Sequence, residues 1–132
     1  MSTRTRTFTW DDPLEMAATI AELSGLERMR QVIAGRIPAP PFARLMNIRL
    51  VEAGEGLAVF EATPDEYHYN PIGMVHGGFA ATVLDSAMGC AVHTQLEQGV
   101  GYTTLEVKTN FVRPITADTG LIRCEGIVIH QG

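Results

Sequence analysis

The sequence predicts one α+β domain in which an antiparallel sheet wraps around a long central helix. Three observations support this fold class: helix-start signals near the N terminus, strand-like segments in both halves of the chain, and an almost wholly apolar run from Phe79 to Val92 between them. This run is too long for a typical strand, and because it is apolar on all sides we expect a buried helix. The predicted order is therefore helix, two strands, central helix and two strands.

Composition indicates a globular protein and argues against several other classes. The 132 residues suit a single domain, 1–132, with 45% hydrophobic and 19% charged residues. A formal net charge of −5 disfavours a general nucleic-acid-binding surface. No apolar run is long enough to span a membrane, and the start, MSTRTRTFTW, lacks the apolar core of a secretion signal. We therefore expect a cytoplasmic protein that binds neither nucleic acid nor membrane.

Residues 1–40 are predicted to form an N-terminal arm and a helical segment. Asp12-Pro13-Leu14-Glu15 combines an N-cap, a proline at the first helical position and an acidic residue in the first turn, which predicts a helix to about Leu23. Ser24-Gly25-Leu26-Glu27 repeats the capping pattern, and Gly35 ends the second stretch. Two helices and one kinked helix both fit this pattern.

Residues 41–132 are predicted to form the core of the domain. Four segments have the composition or alternation of strands: Leu45–Glu52, Leu57–Thr63, Thr103–Val112 and Leu121–His130. The first two flank Ala53-Gly54-Glu55-Gly56, which we interpret as a four-residue hairpin loop.

Asp85 is the residue that does not fit its setting in the central helix. No lysine or arginine occurs between Arg49 and Lys108 to pair with it. A carboxylate in a dry interior costs several kcal/mol unless its oxygens are satisfied. We interpret Asp85 as a functional acid, and the alternative is a structural acid bonded to a neighbouring hydroxyl.

Gly77 and Gly78 open the central helix. Free N–H groups and the positive end of the helix dipole attract negative charge there, and glycine allows a ligand oxygen close to the backbone. The Gly77 N–H is therefore a candidate oxyanion hole. Eight positions of helix separate it from Asp85 by about 12 Å, too far for one reacting centre. Two antiparallel helices in a homodimer would bring each Gly77 to the other chain's Asp85.

The stretch N-P-I-G-M-V-H-G-G-F-A-A-T-V-L-D, from Asn70 to Asp85, resembles the signature of hotdog-fold thioesterases of the PaaI type, the phenylacetate-degradation-related acyl-CoA thioesterases. The resemblance covers roughly Pro41 to Gly132. It implies a hotdog fold, here with an extra N-terminal helical segment. By position it implies a catalytic site with these members: Asn70, His76, Gly77, Asp85 and Thr104, the last beside the reaction water.

Each candidate also has a simpler interpretation. Asn70 suits a turn before a proline, His76 a structural loop position, and Thr104 a strand. Gly78 is a candidate for substrate contact, although helix packing explains it as well. Arg113 is a candidate for binding the phosphates of coenzyme A, although a solvated surface charge is the alternative.

No metal site is expected. The three other histidines, His68, His93 and His130, show no ligand spacing, and neither do Cys90 and Cys124. We expect free thiols in a reducing compartment. His93 follows Cys90 by three residues and is a conceivable activating base, but core packing is the preferred interpretation of this cysteine.

The resemblance implies an acyl-CoA thioesterase in which Asp85 acts as general base or nucleophile and the Gly77 N–H holds the oxyanion. Coenzyme A enters as part of the substrate, and no cofactor is implied. The expected assembly is a homodimer with shared sites, alone or as a dimer of dimers. The alternatives are a hotdog enoyl-CoA hydratase or dehydratase using His76, and a non-catalytic acyl-CoA-binding protein.

The sequence departs from the hotdog pattern at Ile129-His130-Gln131-Gly132. The family continues there with two more strands, which lie inside the sheet. We therefore expect unpaired backbone on the flanking strands, from truncation or because another chain fills the gap.

Overall fold

A computed structural model describes residues 1–131 and shows a three-stranded antiparallel sheet packed against one long helix. The helices are α1 (Pro13–Ile20), α2 (Gly25–Ile33), α3 (Pro41–Met46) and α4 (Gly77–His93). The strands are β1 (Ile48–Gly54), β2 (Leu57–Ala62) and β3 (Ile122–Ile127), in the spatial order β1-β2-β3. The predicted α+β class and central helix are confirmed.

The N-terminal helices begin where their capping signals place them. The Asp12 carboxylate accepts a 2.8 Å hydrogen bond from the Leu14 N–H, and Ser24 and Glu27 form a capping box. Two separate helices are present rather than one kinked helix, and α1 ends at Ile20, not Leu23.

Helix α3 replaces the start of the first predicted strand, which was placed too early at Leu45. Pro41 occupies the first turn of α3, where proline is tolerated because its missing N–H would have no helical partner. Asn47 then adopts a left-handed conformation with φ of 55°, which ends the helix and starts β1 at Ile48. The loop after β1 is also shorter than expected, since β1 runs to Gly54.

Helix α4 buries one face against the sheet. Its buried residues recur every four positions: Phe79, Val83, Ala87 and Ala91. The backbone of β3 approaches so closely that a Cβ on Gly126 would lie 2.1 Å from the Ala87 carbonyl oxygen. The prediction that α4 is buried on all sides is wrong, because Met88 and Val92 are 41% and 37% exposed.

The predicted strand Thr103–Val112 is also wrong as a ladder strand. No other segment among residues 1–131 pairs with the backbone of Thr103–Val112. These residues therefore form an extended segment that belongs to no β-ladder. We call residues 101–112 the extended segment. It runs antiparallel to α4, with Tyr102 beside Gly89 and Phe111 beside Gly77.

In the part of the chain that the structure describes, residues 1–131, one strand therefore follows α4 in the sheet. It is β3, which lies within the predicted Leu121–His130 and pairs with β2 on one side. The unpaired backbone expected from the sequence is present along the extended segment and the outer edge of β3. Within residues 1–131, no helix has the length and apolar character that a membrane crossing requires.

Candidate active site

Asp85 lies midway along α4, where its side chain is half-buried. Its Oδ1 accepts a 2.8 Å hydrogen bond from the Thr104 hydroxyl. Within residues 1–131 no lysine or arginine lies within ion-pair distance of Asp85, as the charge pattern of the sequence predicted. The carboxylate is thus oriented by a neutral donor, and one of its oxygens has no side-chain partner.

Asp85 and Thr104 lie on the wall of a cavity of about 710 Å³, which we call the chamber. Helix α4 and the extended segment form one wall, and α2, α3 and β1 form much of the remainder. Most of the lining is apolar, including Met29, Val32 and Phe60. This volume lies in the range of small-molecule binding sites.

A second, smaller cavity of about 300 Å³, which we call the groove, lies at the N-terminal end of α4. Four of the predicted site residues line it: Asn70, His76, Gly77 and Arg113. Gly77 is exposed, and its N–H donates to no acceptor within residues 1–131. Helix-terminal N–H groups of this kind favour a negatively charged oxygen.

His76 caps α4. Its Nδ1 accepts a 2.8 Å hydrogen bond from the Gly78 N–H, and the backbone N–H of His76 donates to the His68 carbonyl. The imidazole therefore satisfies Gly78 and leaves the Gly77 donor free. Gly78 lines neither the chamber nor the groove, and a Cβ there would lie 2.9 Å from His76 Nδ1, so close packing accounts for this glycine.

Asn70 holds the turn that precedes the helix. Its Oδ1 accepts hydrogen bonds from the N–H groups of Ile72, at 3.0 Å, and Met74, at 3.3 Å. The turn interpretation of Asn70 is confirmed. Arg113 is exposed at the rim of the groove and has no carboxylate partner within residues 1–131.

The predicted site residues thus fall into two groups. Asp85 and Thr104 line the chamber, whereas Asn70, His76, Gly77 and Arg113 line the groove, and the two cavities share no lining residue. In a straight helix, Gly77 and Asp85 are about 12 Å apart along the axis. One chain therefore presents the two halves of the candidate site in separate places.

Tyr102 and the apolar face of α2 also form part of the chamber wall, and the sequence did not predict this role for them. The Tyr102 ring packs against Gly89, where a Cβ would lie 2.9 Å from it, and burial raises the pKa of its hydroxyl to about 12. Gln98-Gly99 marks a break after the central helix, and the position of Tyr102 just beyond it is the one sequence signal for this residue. The apolar residues of α2 follow a helical spacing in the sequence, but this spacing does not show what they cover.

Both cysteines are free thiols. Burial raises the pKa of the Cys90 thiol to about 11, so it is protonated at neutral pH and a poor nucleophile. This supports packing as the role of Cys90. Among residues 1–131, no cluster of three or more histidine, cysteine, aspartate or glutamate side chains has the arrangement of a metal site.

Comparison with known proteins places this architecture in a family. Residues 72–132 match the family model described as Thioesterase superfamily. Acyl-coenzyme A thioesterase 13 of Homo sapiens is 30% identical over 89 residues, which cover 67% of this chain and 63% of that protein. The match thus spans less than two thirds of the curated relative.

Solved structures agree in fold. The phenylacetic acid degradation-related protein of Ralstonia eutropha JMP134 superposes with a TM-score of 0.70 at 25% identity, covering 79% of each chain. A protein from the thioesterase superfamily is 30% identical, with a TM-score of 0.63 and coverage of 82% of this chain and 77% of that one. The chain therefore belongs to the thioesterase superfamily and has its hotdog fold.

Proposed function

We propose that this chain is an acyl-CoA thioesterase that hydrolyses the thioester to a free acid and coenzyme A. The observation that carries the proposal is the Asp85 carboxylate on the wall of an apolar chamber, held by Thr104 and without a cationic partner among residues 1–131. Membership of the thioesterase superfamily supports it, as does similarity to a protein named acyl-coenzyme A thioesterase.

In the proposed reaction, Asp85 takes a proton from water while the water oxygen attacks the thioester carbonyl carbon. The Thr104 hydroxyl fixes one carboxylate oxygen, which leaves the other to accept that proton. Collapse of the tetrahedral intermediate breaks the C–S bond, and the coenzyme A thiolate takes up a proton. Direct attack by Asp85 would instead form a mixed anhydride, which water then hydrolyses. The geometry of Asp85 is compatible with both routes.

The Gly77 N–H is the proposed oxyanion donor, supplied by a second copy of the chain. This proposal rests on the separation of the two halves of the site and on the free Gly77 donor. The exposed Met88 and Val92 on α4 supply apolar surface that a partner helix would cover. The expected assembly is a homodimer with two shared sites.

Arg113 is proposed to bind a phosphate of coenzyme A. It lines the same groove as Gly77, so a thioester oxygen at Gly77 would place the coenzyme A portion near this cavity. A guanidinium without a carboxylate partner is suited to a phosphate, which it can contact through two parallel hydrogen bonds.

The test is thiol release from a panel of acyl-CoA thioesters by the wild-type chain and by Asp85→Asn. We expect turnover that falls by about 10²–10⁴ in the variant, the usual contribution of general base catalysis. The exposed Asp118 provides a matched control, because Asp118→Asn makes the same chemical change outside both cavities. Asp85→Asn with wild-type activity would move the chemistry away from Asp85.

The same panel separates the alternatives. Tight binding of acyl-CoA without turnover by a folded protein would favour an acyl-CoA-binding protein. Hydration of enoyl-CoA without thiol release would favour a hydratase. The hydratase alternative is disfavoured because His76 Nδ1 already accepts a hydrogen bond from the Gly78 N–H.

A further inference from the structure

Helix α2 is held in a fixed position against the C-terminal end of α4. The Gly25 N–H donates a 3.0 Å hydrogen bond to the Leu96 carbonyl. A Cβ on Gly25 would lie 1.6 Å from the His93 carbonyl oxygen, so only glycine allows this approach. One turn later, Met29 is buried with 9% of its surface exposed. The chamber wall formed by α2 therefore belongs to the packed part of the domain.

Helices α2 and α3 present apolar side chains to the chamber. Met29, Val32 and Ile33 come from α2 and Phe42 from α3. Ile33 and Phe42 are also 39% and 53% exposed, so they lie where the chamber meets solvent. These helices separate part of the chamber from water and supply a surface on which an apolar ligand can lie.

Apart from Asp85, the chamber presents no unpaired charge among the described residues that line it. The other charged residues of its lining are Arg49 and Glu61, which hydrogen-bond to each other across β1 and β2 at 3.0 Å. An acyl group that carried a free carboxylate or an amine would find no charged partner there, and its burial would cost desolvation free energy. An uncharged acyl group would incur no such cost.

We propose that α2 and α3 form the acyl-binding part of the chamber and limit the length of an uncharged, apolar acyl group. This inference rests on the proposed thioesterase function, since Asp85 and Thr104, which line the same chamber, determine where the thioester carbonyl lies. The acyl tail extends from these residues toward Val32 and Ile33. The N-terminal helices thereby have a role in substrate selection.

The test measures binding separately from hydrolysis. S-alkyl coenzyme A thioethers from ethyl to hexadecyl cannot be hydrolysed, and their dissociation constants can be measured by calorimetry. Each added methylene that enters the chamber is expected to tighten binding about fourfold, until the chain exceeds the chamber. Thiol release from the matching acyl-CoA series gives kcat/KM as a second profile.

Ile33→Trp fills the chamber at the last residue of α2, where partial exposure lets the larger side chain be accommodated. We expect the optimum of both profiles to move to shorter chains. Ile33→Ala should move the optimum to longer chains, and this variant provides the test if Ile33→Trp does not fold. The control is Leu14→Trp, which enlarges an exposed residue of α1 outside the chamber.

The outcomes are distinguishable. If the wild type hydrolyses acyl-CoA but neither profile changes in Ile33→Trp and Ile33→Ala, the role of α2 is overturned and the thioesterase proposal stays intact. No thiol release at any length, with thioether binding that still depends on chain length and on Ile33, would overturn the hydrolysis and support the chamber. Thioether binding that is independent of chain length in the wild type would overturn the acyl-binding role itself.

Discussion

The Thr104 hydroxyl donates a 2.8 Å hydrogen bond to Oδ1 of Asp85. The two residues lie on different elements, the extended segment and helix α4, and no other side chain among residues 1–131 hydrogen-bonds to this carboxylate. The bond restricts rotation of the carboxylate and leaves its second oxygen available. A proposed general base needs this orientation, because proton transfer depends on geometry before it depends on pKa.

Removing the hydroxyl of Thr104 should weaken catalysis. Thr104→Val keeps the shape of the side chain but deletes the donor, and hydrogen bonds to charged groups contribute roughly 1.5–3 kcal/mol, so we expect kcat to fall about 10- to 100-fold. Thr104→Ser keeps the hydroxyl and should stay within a few-fold of wild type. Thr103→Val is the control at the neighbouring exposed position. Equal rates for Thr104→Val and wild type would contradict the orienting role.

Gly77→Pro removes one N–H from the proposed oxyanion hole with little change to the helix. Gly77 is the first residue of α4, where proline is favoured, and the His76 backbone at φ −59° and ψ 138° suits a residue before proline. Loss of an oxyanion donor typically lowers kcat by about 10²–10³. Gly77→Ala retains the N–H and adds a Cβ that meets Phe111 at 3.4 Å in an ordinary contact, so it should retain most activity. Circular dichroism checks that both variants fold.

The proposed sharing of sites between two chains predicts complementation between inactive chains. When Asp85→Asn and Gly77→Pro chains are mixed, unfolded and refolded together, half of the dimers are mixed, and each mixed dimer contains one site with both groups intact. Activity should therefore return to about a quarter of the wild-type value. If Asp85 and Gly77 acted within one chain, mixing would restore nothing.

The contact between α4 and β3 should make Gly126 sensitive to substitution. A Cβ there would lie 2.1 Å from the Ala87 carbonyl oxygen, so Gly126→Ala must displace either the helix or the strand. Overpacking of this kind costs about 1–3 kcal/mol in the free energy of unfolding. Gly101→Ala is the matched control, because nothing lies within 4 Å of its Cβ position. Urea denaturation gives the free energy of unfolding of both variants. Similar free energies for Gly126→Ala and Gly101→Ala would show that α4 and β3 can separate without cost.

His68 should make stability depend on pH. Burial lowers its pKa below the usual 6.5, with a further contribution from Arg6, while Asp65 opposes the shift. The unfolded chain therefore binds a proton at higher pH than the folded chain does. The contribution of His68 to stability is fully present above about pH 6.5 and decreases as pH falls toward the lowered pKa.

His68→Gln tests this dependence, because glutamine does not titrate in this range. The melting temperature of the wild type should fall more between pH 7.5 and 5.5 than that of the variant. Burial also lowers the pKa of His93, so the variant should retain part of the dependence. The exposed His130→Gln is the control and should behave as wild type. Identical pH profiles for wild type and His68→Gln would refute the assignment.

Local signals in the sequence were sufficient for several elements. Asp12 and Ser24 start their helices as predicted, since capping depends on residues within one turn. The apolar run after Gly78 forms α4, and the absence of nearby cations correctly indicated that Asp85 has no ion pair within residues 1–131. The motif from Asn70 to Asp85 led to the correct family.

Two of the errors have a common physical cause, which is their dependence on a neighbouring element. The segment from Thr103 to Val112 has a strand pattern, but a strand needs a second backbone to bond to, and alternation in one segment does not show whether that partner is present. The run of α4 is apolar all round, but which faces are covered depends on the elements that pack on it. Helix α3 was missed because Pro40 and Pro41 suggest a break, although proline also suits the first turn of a helix.

The sequence by itself determined the fold class, the starts of α1, α2 and α4, the candidate acid and the family, because these depend on short-range chemistry and on a contiguous motif. Only the tertiary structure decided that Thr104 meets Asp85, that Gly77 lies in a different cavity, and that α2 and α3 complete the chamber around the acid. These relationships depend on contacts between different elements of the chain. They follow from how α4 packs on the sheet and on the N-terminal helices, which no local pattern specifies.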